Sequence, residues 1–385
     1  MLTKNIKYRS FSIKNNFINT KKNLILLLSQ DIGSLRSLKK SFKYNYSKNL
    51  VKKLKKIPNV RVIGMGGSNL GSEAIYDFLK NKIKKKFIFT NNLNNNQKFF
   101  NRKKNILNLI ISKSGNTLET ISNVNILIKK SDKNIFITEK KNSYLNNLAK
   151  KLKAEIVEHK NFIGGRYSVL SEVGMLPAEL MGLNEKKFKQ LNNLIKNKNF
   201  IDNLVKNAGS TITLLKKKKM NSIILNYDEQ SENLFKWYQQ LVAESLGKKS
   251  KGILPIISTM PKDNHSLMQL YLDGPKNNFF TFFYVKNKKN YKIKSNSILA
   301  SHKYLKNKNI GEIIEAQKIA TEKVFLKKKI PFRSFEILNR NEETLGELFC
   351  FFILETILIG RLLKINPFDQ PSVELIKTET KKILT

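Results

Sequence analysis

The segment Val60-Arg61-Val62-Ile63-Gly64-Met65-Gly66-Gly67-Ser68 decides how this chain is read. A short β-branched run, closed by glycines and followed by a helical pattern over residues 69–79, describes a strand that passes into a helix through a tight loop. Glycine lets backbone amides approach an anion there, and the helix N-terminus adds partial positive charge. The loop fits neither common nucleotide motif. No Gly-Lys-Ser/Thr follows it, and Asn69 stands where the dinucleotide fingerprint needs a third Gly.

The same alternation extends outward. Strand-like runs recur at 87–89, 106–111 and 135–137, separated by helical stretches. After a polar helical stretch over 185–219, further strands are predicted at 223–225, 253–257, 279–285 and 332–337. Helices are predicted at 232–246, 266–272, 311–326 and 342–363. Short apolar strands alternating with helices predict parallel sheets covered on both faces. The expected fold is α/β: two α/β/α sandwich domains with helical segments at both ends. The expected limits are 1–50 for an N-terminal helical segment, 51–184 for a first domain that binds phosphate, 185–345 for a second domain, and 346–385 for a C-terminal helix and tail returning to the active site. In such sheets ligands sit beyond the carboxyl ends of the strands, which directs attention to the loops.

Composition narrows the class. The 385 residues are 41% hydrophobic and 10% aromatic, enough for a sizeable core and against a wholly disordered chain. Seventeen Gly, eight Pro and one Cys exclude collagen-like and disulfide-scaffold readings. The lone Cys350 cannot form an internal disulfide, which fits a reducing compartment, and the cytoplasm is the expected location. The longest apolar run, 348–360, is interrupted by Glu355, so no membrane span is expected. The formal charge of +43 comes from 72 basic against 29 acidic residues, but Lys greatly outnumbers Arg and is scattered from Lys4 to Lys382. A nucleic-acid surface would cluster Arg and Lys with aromatics, so no specific nucleic-acid partner is expected. The field still favours phosphorylated substrates.

Several further segments carry candidate chemistry. Ser112-Lys113-Ser114-Gly115-Asn116-Thr117 closes the strand 106–111 and opens a helix, placing three hydroxyls, an ammonium and free amides at one point, a good phosphate cradle. Gly164-Gly165-Arg166-Tyr167-Ser168 presents a guanidinium beside flexible backbone, suited to a developing oxyanion. Glu244, at the end of an amphipathic helix and ringed by apolar residues, is expected to be buried enough to serve as a general base. His265 follows Asp263-Asn264 at a predicted helix start; His159 and His302 lack comparable surroundings. Three scattered His and one Cys offer no metal-ligand spacing, so no metal site is expected.

Taken in order, these segments, together with 240–248, 263–274 and Asn366-Pro367-Phe368-Asp369-Gln370-Pro371-Ser372-Val373-Glu374, resemble the glucose-6-phosphate isomerase (phosphoglucose isomerase) family. The resemblance spans about residues 60–380. It implies two sugar isomerase (SIS) domains, a homodimer, no cofactor, and reversible conversion of glucose 6-phosphate and fructose 6-phosphate in glycolysis and gluconeogenesis. By resemblance, Ser112, Lys113, Ser114 and Thr117 bind phosphate, and Ser68, Gly165, Gln240 and Gln370 line the sugar site. Glu244 then corresponds to the base that moves a proton between carbons 2 and 1, and Arg166 to the Arg that stabilises a cis-enediolate. His265 and Lys377 correspond to the ring-opening pair, with Glu119 orienting the His and the His contributed across the subunit interface. The sequence departs from the family pattern at Ala243 and Leu246 beside the Glu, and at Ile376 before Lys377. A bifunctional glucose/mannose 6-phosphate isomerase and a non-catalytic sugar-phosphate sensor are the competing readings.

Overall fold

The computed structural model describes residues 1–94, 105–286, 291–294, 296 and 298–385. Ten strands lie among them: β1 (Ile6–Arg9), β2 (Asn59–Ile63), β3 (Lys86–Thr90), β4 (Ile106–Ile111), β5 (Lys133–Thr138), β6 (Glu155–Glu158), β7 (Asn221–Asn226), β8 (Leu254–Thr259), β9 (Asn278–Val285) and β10 (Phe332–Ile337). They form two sheets, ordered β3-β2-β4-β5-β6 and β1-β10-β9-β7-β8. The first is parallel throughout. In the second, β10, β9, β7 and β8 are parallel and β1 is antiparallel to β10. All six residues of β4 are buried, as the continuous apolar run Ile-Leu-Asn-Leu-Ile-Ile requires of a strand covered on both faces.

The strand order places the site. β2 has β3 on one side and β4 on the other, so the connections leave it in opposite directions and a crevice opens beyond the carboxyl ends of β2 and β4. Gly64–Ser68 and Ser112–Thr117 are the loops that follow these two strands.

Between the layers runs the helix Glu342–Leu362, buried over 18 of its 21 residues. Phe349, Phe351 and Phe352 are fully inaccessible, each burial contributing about 1.5–3 kcal/mol. Glu355, the residue that interrupts the apolar run, is buried there because Arg333 and Asn207 donate to its carboxylate. The helices Leu70–Phe78 and Glu232–Leu246 pack on each other and join the two halves.

Two elements differ from the sequence reading. The N-terminal fifty residues hold the helices Ile18–Ser29 and Lys48–Leu54, but they also supply β1, which joins the second sheet and makes it mixed. Four residues carry too little periodicity to announce a strand. β1 is held instead by pairing with β10 and by Thr3 and Asn5, whose side chains donate to the buried Glu347. β6, with the sequence Glu-Ile-Val-Glu, was not expected, because an edge strand need bury only one or two residues.

Candidate active site

The two loops after β2 and β4 meet their distant partners by backbone contact. Gly66 has φ +52°, and a Cβ on it would lie 2.9 Å from Gln240 Nε2. A Cβ on Gly67 would lie 2.3 Å from the Gly165 carbonyl carbon and 2.6 Å from the Arg166 nitrogen, so only glycine allows the two loops to touch. Ser68 is half-buried at the start of this crevice. In the loop after β4, Gly115 (φ +68°) makes the turn, with Ser143 Oγ where its Cβ would be. Ser112 Oγ and Thr117 Oγ1 are 2.9 Å apart, with Ser112 buried and Ser114 exposed. Lys113 Nζ donates to the Asn161 carbonyl at 2.7 Å and lies 3.7 Å from Glu139. Burial lowers the Lys113 pKa from its ordinary value, opposed by Glu139.

Arg166 is the centre of the assembly. It is 2% exposed. Its Nε donates to Ser245 Oγ at 2.8 Å, Nη1 to Gln370 Oε1 at 2.9 Å, and Nη2 to the carbonyls of Pro367 at 2.7 Å and Asp369 at 3.1 Å. Nη1 also lies 3.1 Å from Glu244 Oε1, and Gln240 Nε2 donates to Glu244 Oε2 at 2.9 Å. One guanidinium therefore ties together the turn Gly165–Leu170, the end of the helix Glu232–Leu246 and the tail segment 366–370. Glu244 is less buried than its apolar sequence neighbours suggest. Its side chain is 23% exposed, because the ion pair with Arg166 turns it toward the crevice.

Four residues not singled out from the sequence complete this cluster. Trp237 Nε1 donates to the Arg166 carbonyl at 3.2 Å, and Tyr167 Oη donates to the Pro367 carbonyl at 2.9 Å while lying 2.8 Å from Ser245 Oγ. Burial raises the Tyr167 pKa, which keeps its hydroxyl protonated. Lys248 donates to the Asp369 carbonyl at 2.6 Å and clamps the tail from the other side. The single Trp, at helical spacing from Gln240 and Glu244, is the one signal that could have pointed here.

The remaining predicted residues stand apart. His265 lies exposed on the turn Lys262–His265 after β8, with no hydrogen-bond partner for its ring among the described residues. Glu119 is half-buried in the first turn of the helix Leu118–Leu127. Lys377 donates to Glu374 at 2.6 Å on the helix Val373–Leu384, of which no residue is buried. The tail thus returns to the crevice as far as Gln370, and its final helix does not. No three His, Cys, Asp or Glu side chains converge as a metal site among the described residues.

A hydroxyl-rich loop and a carboxylate paired with a buried guanidinium, both at the switch point of a doubly wound sheet, suit a sugar-phosphate isomerase, and comparison with known proteins gives the class as aldose–ketose isomerase. The sequence profile of the phosphoglucose isomerase family matches residues 34–385, and the chain belongs to that family. It is 32% identical to a glucose-6-phosphate isomerase of Methanocaldococcus jannaschii, over 96% of this chain and 93% of that protein. It is 34% identical to a glucose-6-phosphate isomerase of Mycoplasmopsis pulmonis, over 84% and 82%. In fold it is similar to a hypothetical protein of Thermus thermophilus of known crystal structure, with a TM-score of 0.82 and 21% identity over 96% of this chain and 94% of that one.

Proposed function

We propose that this chain interconverts D-glucose 6-phosphate and D-fructose 6-phosphate with Glu244 as the base and a cis-enediolate as the intermediate. The observation that carries this reading is the Gln240–Glu244–Arg166–Gln370 chain of contacts beside the hydroxyl loop. Ser112, Lys113, Ser114 and Thr117 take the phosphate, with Ser68 and Gly165 along the sugar. Binding energy at the phosphate then holds the reacting carbons against Glu244. The base moves the proton from carbon 2 to carbon 1. Arg166 Nη1, shared between Glu244 and Gln370, is the nitrogen with a hydrogen bond to redirect toward the enediolate oxygen. Loss of such a donor costs about 3–4 kcal/mol of barrier.

Ring opening is assigned to His265 with Lys377. Since neither reaches Glu244 within one chain, the reading includes a homodimer in which His265 serves the site of a second copy, oriented by Glu119. A cytoplasmic enzyme of glycolysis and gluconeogenesis, working without a cofactor, follows from the same reading. A coupled assay of fructose 6-phosphate conversion in the presence of EDTA tests it. Chelator-insensitive turnover is the expected result; a folded sample with no turnover overturns the reaction, and turnover lost to EDTA overturns the metal-free chemistry.

A further inference from the structure

A second cationic cavity, of about 760 Å³, opens away from the catalytic crevice. Half of its ten lining residues are lysines: Lys40, Lys82, Lys186, Lys187 and Lys189. It lies at the start of the helix Glu342–Leu362, whose other end leads into the tail segment that binds Arg166. A helix of 21 residues separates the two by about 30 Å.

The charges in this cavity do not cancel internally. Its two carboxylates are already engaged, Glu342 by Lys82 at 2.7 Å and Glu343 by Lys4 at 3.1 Å. The side chains of Lys40, Lys186 and Lys187 have no hydrogen-bonding acceptor among the described residues. Lys189 is 3% exposed, yet its ammonium meets no carboxylate: it donates to the carbonyls of Ser37 and Leu170 and lies 4.9 Å from the ring centres of Phe42 and Tyr44. Burial pulls its pKa down to about 7, opposed by the more distant Glu172 and Glu185. The first turn of the helix Glu342–Leu362 lies on the same side, its amides capped by Asn341 and offset by Glu342 and Glu343. Five lysines against two carboxylates already paired, three of those lysines without a hydrogen-bonding acceptor among the described residues, give the cavity a net positive lining suited to an anion with several charges spread over several ångströms.

We propose that this cavity is a binding site for a small oligophosphate-bearing anion, separate from the catalytic crevice. A single phosphate would satisfy two or three donors, whereas a chain of phosphates carries acceptors enough to engage lysines from several parts of the lining. The inference does not rest on the isomerase reading, whose failure would appear as absent turnover.

The test is calorimetric titration of the full chain with inorganic tripolyphosphate, at physiological ionic strength and with fructose 6-phosphate saturating the catalytic crevice. One binding event per chain is expected to remain. The double variant Lys186→Gln/Lys187→Gln, altered at exposed positions and expected to melt as the wild type does, should bind at least about tenfold more weakly. The exposed pair Lys52 and Lys53, changed to Gln in the same way, serves as the control and should bind as the wild type does. Equal weakening in both doubles would mean that the general basic field attracts the anion, and no remaining event in the wild type would mean that the cavity is empty of function. Either result overturns the proposal.

Discussion

Arg166 is buried with every nitrogen of its guanidinium engaged, whereas His265 stands exposed with no partner for its ring among the described residues. The proton-transfer half of the proposed chemistry is therefore assembled within one chain before substrate arrives. The ring-opening half is not. Preorganised donors cost no rearrangement during the reaction, so the first half should depend on single side chains and the second on assembly.

The sharpest way to break this contrast is at the base. Glu244→Gln keeps the shape of the side chain and its contact with Gln240 but cannot accept a proton. Turnover should fall by about 10³–10⁴-fold while phosphate still binds, as measured by steady-state rates alongside titration with inorganic phosphate. Near-normal turnover would remove Glu244 from the mechanism.

Arg166→Lys comes next. Lysine offers a point charge and no planar fork, so it cannot hold Ser245, Gln370 and the Pro367 carbonyl together. A decrease of about 10²–10³-fold in kcat is expected, with a lower melting temperature because the tail loses its anchor. An unchanged kcat would mean that Arg166 only positions the tail.

His265→Gln tests the other half. Turnover should drop by about 10²-fold with the cyclic sugar phosphate as substrate. Mixing this variant with Glu244→Gln should restore part of the activity if the His serves a second copy, since mixed dimers then contain one intact site. No recovery on mixing would place both residues in one chain's site.

A buried histidine ties stability to pH. His159 is buried beside the loop after β4, and burial holds its pKa at about 4. A depressed pKa means that the neutral ring stabilises the fold fully above its unfolded value near 6.5, and that this contribution is lost as pH falls through 4. The difference corresponds to about 3 kcal/mol. His159→Gln should therefore flatten the acid limb of melting temperature against pH between about 6.5 and 4. The smallest effect belongs to Trp237→Phe. Losing the indole donor to the Arg166 carbonyl should cost about 1 kcal/mol of stability, read from denaturant midpoints, with KM little altered.

Much of this arrangement was legible in the residues. The glycine loop after β2, the hydroxyl loop after β4, the helix Glu232–Leu246 and the buried helix Glu342–Leu362 all carry local periodicity or turn chemistry, and each was read close to its observed limits. Arg166 and Glu244 were named from their own segments, Gln240 and Gln370 from the family resemblance, and the structure links all four by contacts. β1 was not legible, because its stability comes from pairing with β10, more than three hundred residues away. Ser245 and Tyr167 were hidden for a similar reason: nothing in a serine or a tyrosine says which carbonyl or guanidinium it will meet.

The sequence by itself determined the α/β alternation, the two glycine- and hydroxyl-bearing loops at the strand ends, and the family. These depend on backbone permissiveness and on hydrophobic period, which are properties of neighbouring residues. Tertiary structure alone decided that Gly67 touches Gly165, that Arg166 spends its donors on the tail as well as on Glu244, that Glu244 is only half-buried, and that His265 and Lys377 stay outside the cluster. Such outcomes depend on which groups are brought within hydrogen-bond range and removed from water, and chain order does not encode that distance.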